Sequence, residues 1–267
     1  AHLHPTLGDV CMKPILTSDR QSITTAAQNG QSYLVRLLTW VDGKPYGNIN
    51  ARTPDFYQNL GRFAGQMDHA LADYAHPAAK RDLFWDLAQA HHARAYLPTI
   101  ADADKRAMAT RFFDDYERRV QPQLPGLRQQ IIHGDLNNYN VLSDGQQVTG
   151  LIDFGDIVHT ALVCEIAIVA AYGMFEQDTA WQTAISIVSS YHSVNPLTEQ
   201  ELELLFNLIA IRLCVSVAAS SHHAKLEPDN AYITISAQAA WTALTALDAI
   251  APADALDALR QGCGLPI

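Results

Sequence analysis

Over the first forty residues the apolar positions fall in short β-rich runs. Val10, Cys11, Met12, Ile15 and Leu16 form one run, residues 21–25 a second, and Tyr33, Leu34, Val35, Leu37, Leu38 and Trp40 a third. Gln28-Asn29-Gly30 and Asp42-Gly43 read as turns, so the pattern predicts a small antiparallel sheet. After Gly43 the period lengthens. Thr53-Pro54 has the form of an N-cap followed by proline at the first helical position, and Phe56, Leu60, Phe63, Ala64, Met67 and Leu71 then recur at helical spacing. Further helices are expected at about 80–95 and 101–120. Between residues 129 and 153 the period shortens again, into β-type runs at 130–133, 140–142 and 147–152, with Ser143-Asp144-Gly145 as a hairpin turn. Two polar loops are thereby pinned between buried strands. Beyond Thr160 the pattern is helical, with starts at Asp178-Thr179 and at Thr198-Glu199-Gln200-Glu201, a capping-box form. The alanine-rich stretch 237–258 predicts two packed helices, and the fold class expected is α+β.

Composition narrows the partners. Apolar residues are 48% of the 267 and charged residues only 17%, so the chain has a core to bury and is expected to fold throughout. Eighteen Lys and Arg against 28 Asp and Glu leave a net charge of −10, and the basic residues are scattered singly, which excludes a nucleic-acid backbone as a partner. Residues 202–219 approach a membrane-spanning length, but Glu203, Asn207 and Arg212 interrupt them, and a buried core helix is expected instead of a span. The four cysteines form no C-x-x-C pair and the N-terminus has no signal-peptide pattern, so a cytoplasmic setting is expected.

The chemistry concentrates in His133-Gly134-Asp135-Leu136-Asn137-Asn138-Tyr139-Asn140 and in Ile152-Asp153-Phe154-Gly155-Asp156. The spacing is H-x-D-x-x-x-x-N followed, thirteen residues after the Asn, by D-F-G, the arrangement kinases use for a catalytic and a metal-binding loop. Phosphoryl transfer asks a protein to hold a hydroxyl in line with the γ-phosphate and to neutralise charge on the phosphate oxygens. Asp135 is the acid expected to accept the hydroxyl's hydrogen bond and then its proton. Asn140 and Asp153 are the hard oxygen ligands expected for Mg²⁺, whose remaining ligands are phosphate and water. His133 is expected to brace the loop. Asp156 either binds substrate or caps the following segment.

These words resemble the aminoglycoside phosphotransferase and choline kinase superfamily, whose members carry H-G-D where protein kinases carry H-R-D. Within it, Leu37-Leu38-Thr39-Trp40-Val41-Asp42-Gly43, Leu60-Gly61-Arg62-Phe63-Ala64, Trp85-Asp86-Leu87 and Gly155-Asp156-Ile157-Val158-His159 resemble the hydroxylysine kinase branch. The resemblance implies a protein-kinase-like two-lobed fold and transfer of the γ-phosphate of ATP or GTP to a hydroxyl of a small, amine-bearing molecule. It implies that Leu38, Thr39, Trp40 and Val41 form the hinge that meets the purine, with Ile152 beneath it; for the Trp40 ring itself ordinary core packing is expected. Asp156, Glu165, Asp68 and Tyr172 are the candidates to meet a cationic acceptor.

The sequence also departs from that pattern. A kinase of this kind places a Gly-rich loop and a strand lysine ahead of the hinge. The thirty-odd residues before the hinge strand hold no glycine cluster, and Lys13 is expected to be a surface strand lysine. The expectation is therefore that residues 1–43 are the end of an incomplete small β lobe and residues 44–267 a mostly helical large lobe. Two alternatives stay open: a non-catalytic, kinase-shaped binding module, or a kinase for an aminoglycoside, choline or homoserine.

Overall fold

A computed structural model of the chain describes residues 2–50, 52–230 and 235–267. A short helix α1 (His4–Leu7) leads into β1 (Pro14–Ile15), the exposed hairpin β2 (Thr24–Gln28) and β3 (Gln31–Val35), β4 (Leu37–Leu38), and β5 (Lys44–Pro45). β1 pairs antiparallel with β4, and β2 with β3 across the Asn29-Gly30 turn, where both residues take positive φ as a tight hairpin requires. Leu16, Leu34 and Leu37 on this antiparallel part are solvent-exposed. Trp40 is 87% exposed, with its indole N–H donating to Asp42, so the expectation of core packing is corrected: it lies past the end of β4, and no buried cluster among the described residues takes in its ring.

Helix α2 (Pro54–Leu71) starts as its sequence predicts. The Thr53 hydroxyl accepts from Phe56 N, Pro54 fills the first position, and all six periodic apolar residues are buried. The segment expected as a helix at 80–95 is instead a run of 3₁₀ turns at Leu87–Thr99, begun by Asp86 accepting from Ala88 N. Helix α3 (Ala103–Asp115) follows, closing in a wide π turn at Tyr116–Val120 whose Tyr116 hydroxyl donates to the carbonyl of Leu87.

Next come β6 (Gln129–Ile132), β7 (Val141–Ser143), β8 (Val148–Leu151) and β9 (Val158–Ala161). β7 and β8 form the expected hairpin with β5 on the other side of β7, and β6 pairs with β9. The remaining helices are α4 (Val163–Gly173), α5 (Ala180–His192), α6 (Glu199–Leu226), α7 (Ala237–Asp248) and α8 (Pro252–Gly262). Residues 231–234, part of the stretch expected to be helical, lie outside the described residues. α6 opens with the capping box, Thr198 Oγ1 accepting from Glu201 N while the Glu201 carboxylate accepts from Thr198 N. It is long and apolar enough to cross a membrane, yet it packs as the central core helix, against α4, α7 and the 3₁₀ run. α4 and α6 each send a side chain to the loop after β6, Glu165 to His133 and Gly134 and Arg212 to Asp135.

Candidate active site

Two loops cross at the ends of the paired strands. Residues 133–140 join β6 to β7, and residues 152–157 join β8 to β9. Gly134 makes the crossing possible: its φ is +80°, and a Cβ there would lie 2.7 Å from the backbone oxygen of Asp156. Asp153 also has positive φ, with its Oδ1 accepting from Gly155 N at 3.2 Å. The register of β7 and β8 continues into both loops, since Ile152 N donates to Asn140 O at 3.0 Å, which puts Asp153 one residue past the position paired with Asn140.

His133 ties the loops together. Its Nδ1 accepts from Asp135 N at 3.3 Å, so its proton sits on Nε2, which donates to Ile152 O at 3.2 Å. The Phe154 ring packs on it at 4.8 Å. Complete burial drives its pKa down to about 4, which keeps the ring neutral while its two nitrogens bond the two loops.

Asp135 is held at both carboxylate oxygens. Oδ2 accepts from Asn137 Nδ2 at 2.8 Å and from Asn140 Nδ2 at 2.7 Å, while Oδ1 accepts from Arg212 Nη2 at 2.9 Å. Burial pushes its carboxyl above the ordinary range against the opposing pull of Arg212, and the charges of Asp156 and Asp153 add to the rise. Asn140 turns its amide nitrogen onto Asp135 O and Oδ2, which leaves its oxygen without a donor among the described residues. That oxygen and the Asp153 carboxylate are the donor set a magnesium ion takes from a protein, one carboxylate and one neutral oxygen, with room left for phosphate and water. The residues present fit the ion.

A cavity of about 340 Å³ opens over Asp135, lined among others by Trp85, Asp156, Tyr172, Arg212, Ser216 and His223. Asp156, expected either to bind or to cap, faces this cavity and has no hydrogen bond to its carboxylate among the described residues. Burial pushes its carboxyl up as well. Tyr172 also lines the cavity.

Glu165 and Asp68 do not. Both are fully buried, and the expectation that Glu165 meets substrate is corrected. Its Oε2 accepts from His133 N at 2.5 Å and Gly134 N at 3.2 Å, so its partner is the backbone of the loop that follows β6. Asp68 Oδ2 accepts from the Tyr191 hydroxyl at 2.7 Å. Burial holds both carboxyls well above the usual carboxylate range, with the charge of Glu165 adding to the rise at Asp68 and that of Asp135 adding to the rise at Glu165.

A second cavity, about 280 Å³, lies between the strands and the D-F-G loop, lined by Met12, Lys13, Leu38, Phe154 and Ile157 among others. Of the expected hinge residues only Leu38 lines it. Thr39 is tied to Lys13 by Thr39 N to Lys13 O at 2.8 Å and Lys13 N to Thr39 Oγ1 at 2.9 Å. Val41 is buried and Ile152 half-buried, both outside this lining. Lys13 is partly exposed and pairs with Asp9 at 2.6 Å.

Against known proteins, the sequence pattern of the phosphotransferase enzyme family matches residues 11–197. The chain belongs to that family. Hydroxylysine kinase of Mus musculus is 32% identical to it over 231 residues, covering 81% of this chain. This chain spans about 60% of the length of such relatives, 61% for the mouse protein and 60% for the Bos taurus one. Among solved structures, a microcompartment-associated aminopropanol kinase superposes with a TM-score of 0.64 at 19% identity, over 98% of this chain and 79% of its own. Amicoumacin kinase hAmiN, solved in complex with AMP-PNP, Ca²⁺ and Ami, gives 0.60 at 15% identity, over 91% of this chain and 73% of its own. These likenesses establish the α+β kinase-like fold of the family.

The site contains one residue that motif spacing does not reveal. Arg212 lies on α6, 77 residues from Asp135, and was visible in the sequence only as a charge interrupting an apolar run. A lone arginine in such a run signals a buried ion pair, since an unpaired buried charge is not tolerated.

Proposed function

We propose that this chain carries the catalytic part of a kinase that transfers the γ-phosphate of a purine nucleoside triphosphate, with Mg²⁺, to the hydroxyl of a small amine-bearing acceptor of the hydroxylysine type. The observation that carries this reading is Asp135, with both carboxylate oxygens fixed, at the base of a cavity that also holds Asp156, whose carboxylate accepts no hydrogen bond among the described residues. A carboxylate facing the cavity beside the proton acceptor suits an ammonium group. The relationship to the mouse hydroxylysine kinase supports the same acceptor class.

In this reading the acceptor's ammonium meets Asp156, and its hydroxyl donates to Asp135. As the hydroxyl oxygen bonds to the γ-phosphorus, its proton passes to Asp135 and the nucleoside diphosphate leaves. Asn140 and Asp153 hold the magnesium ion, which when bound neutralises charge on the nucleotide phosphates. His133 and Glu165 keep the loop in place. The cavity beside Leu38 and Phe154 is the candidate for the purine end. The test is a transfer assay of the full chain with ATP and with GTP against hydroxylysine, homoserine, choline and an aminoglycoside. Phosphorylation of hydroxylysine above the others is the expected result; binding of nucleotide with no transfer to any acceptor favours the non-catalytic module instead.

A further inference from the structure

Arg212 is 2% exposed, in the middle of the long and largely buried helix α6. Its guanidinium carbon sits 5.1 Å from the ring centre of Trp85 and 5.3 Å from that of Tyr172, over both rings. Nη2 donates to Asp135 Oδ1 at 2.9 Å and to the Tyr172 hydroxyl at 3.1 Å, and that hydroxyl is within 3.2 Å of Ser216 Oγ. Stability does not explain this arrangement, because a buried ion pair is often matched or surpassed by apolar residues of similar volume. Each carboxylate oxygen has about two lone-pair sites. Asn137 and Asn140 take both on Oδ2, whereas Arg212 takes one on Oδ1.

We infer that Arg212 is a positioning residue for phosphoryl transfer: it orients the Asp135 carboxylate so that the one remaining lone pair, on Oδ1, receives the acceptor hydroxyl. The inference rests on Asp135 being the proton acceptor proposed above. In the step it serves, the hydroxyl O–H bond breaks and its proton goes to Oδ1, the oxygen forms a bond to the γ-phosphorus of the nucleoside triphosphate, and the bond from that phosphorus to the β-bridging oxygen breaks with its electron pair leaving on the diphosphate. Arg212 donates throughout and transfers nothing. A planar guanidinium does this over the rings of Trp85 and Tyr172, and an ammonium on a lysine stem does not reproduce its fork.

The experiment uses the full chain with Arg212→Met, Arg212→Lys and Arg212→Ala. Loss of orientation predicts kcat lower by about 10²-fold with the KM for nucleotide unchanged. Arg212→Lys is expected to recover only a fraction. Guanidinium chloride at non-denaturing concentration is expected to raise kcat of Arg212→Ala, through the cavity its side chain lines, while sodium chloride does not; a merely structural arginine gives no such rescue. A kcat for folded Arg212→Met equal to that of the parent overturns the inference. Because these variants also perturb a buried site, a thermal-unfolding cycle accompanies them: Arg212→Met is expected to lower Tm less in an Asp135→Asn background than in the parent, and equal shifts in both backgrounds overturn the pairing. If the parent transfers phosphate to none of the hydroxylated amines, the proposed function fails, and the unfolding cycle still decides whether Arg212 holds this carboxylate.

Discussion

Glu165 offers the sharpest test of how the catalytic loop is held. Its Oε2 is the acceptor for two buried backbone donors, His133 N and Gly134 N, and the described residues provide no other acceptor for them. Glu165→Ala leaves both unsatisfied at about 1–3 kcal/mol each, so a loss of about 2–6 kcal/mol is expected. Glu165→Gln keeps a carbonyl oxygen in the same place, and because burial already favours the neutral acid, it is expected to cost only about 1 kcal/mol. Urea unfolding of the three proteins reads this directly, as a fall in the midpoint at constant slope. The same comparison carries to activity, since a loosened loop misplaces Asp135 and is expected to cost about 10²-fold in kcat for Ala and far less for Gln. If Ala and Gln are equally destabilised, the carboxyl does not hold the loop through these two bonds, and the reasoning is refuted.

Other consequences are as direct. Asp153→Asn is expected to abolish the rise in Tm that MgCl₂ gives in the presence of nucleotide, while the unliganded Tm changes little; a retained magnesium shift contradicts the ligand assignment. Asp156→Asn is expected to raise KM for amine acceptors about tenfold, the weight of one charge-assisted hydrogen bond, with nucleotide KM constant. For pH, the folded Glu165 carboxyl titrates far above its ordinary value of 4.5, pushed to about 8 by burial. The unfolded chain therefore releases a proton that the folded chain retains across that window, so stability is greatest below it and falls as pH rises through it. Glu165→Gln is expected to flatten that decline in Tm, and an unchanged slope contradicts the assignment.

Most of what repeats at short range was legible in the sequence: the Thr53-Pro54 start, the six buried positions of α2, the β7–β8 hairpin and the Thr198 capping box depend only on neighbouring residues. The loop motifs could be placed for a similar reason, since Asn140 and Asp153 flank the one hairpin β7–β8 and Asp135 lies five residues before Asn140. Glu165 and Arg212 were not. Each is a charge within an apolar helix, which tells a reader that it is buried and paired but not with what, and the partners lie 32 and 77 residues away. Glu165 was expected on the substrate side from its position relative to the motifs and is bonded to backbone instead. The 3₁₀ run at Leu87–Thr99 was expected as α-helix, and its start is held by tertiary bonds, Thr160 Oγ1 to Asp86 and the Tyr116 hydroxyl to Leu87 O, that no local pattern records.

The central claim is that Asp135 receives the proton of an amine-bearing alcohol as phosphate arrives. Following the γ-phosphate by ³¹P NMR with hydroxylysine, Mg²⁺ and nucleotide tests it most directly, in the full chain and in Asp135→Asn. The account predicts a phosphate ester on the hydroxyl with the parent and a rate lower by about 10²–10⁴ with the variant at undiminished nucleotide affinity. An ester formed at equal rates by both proteins contradicts it.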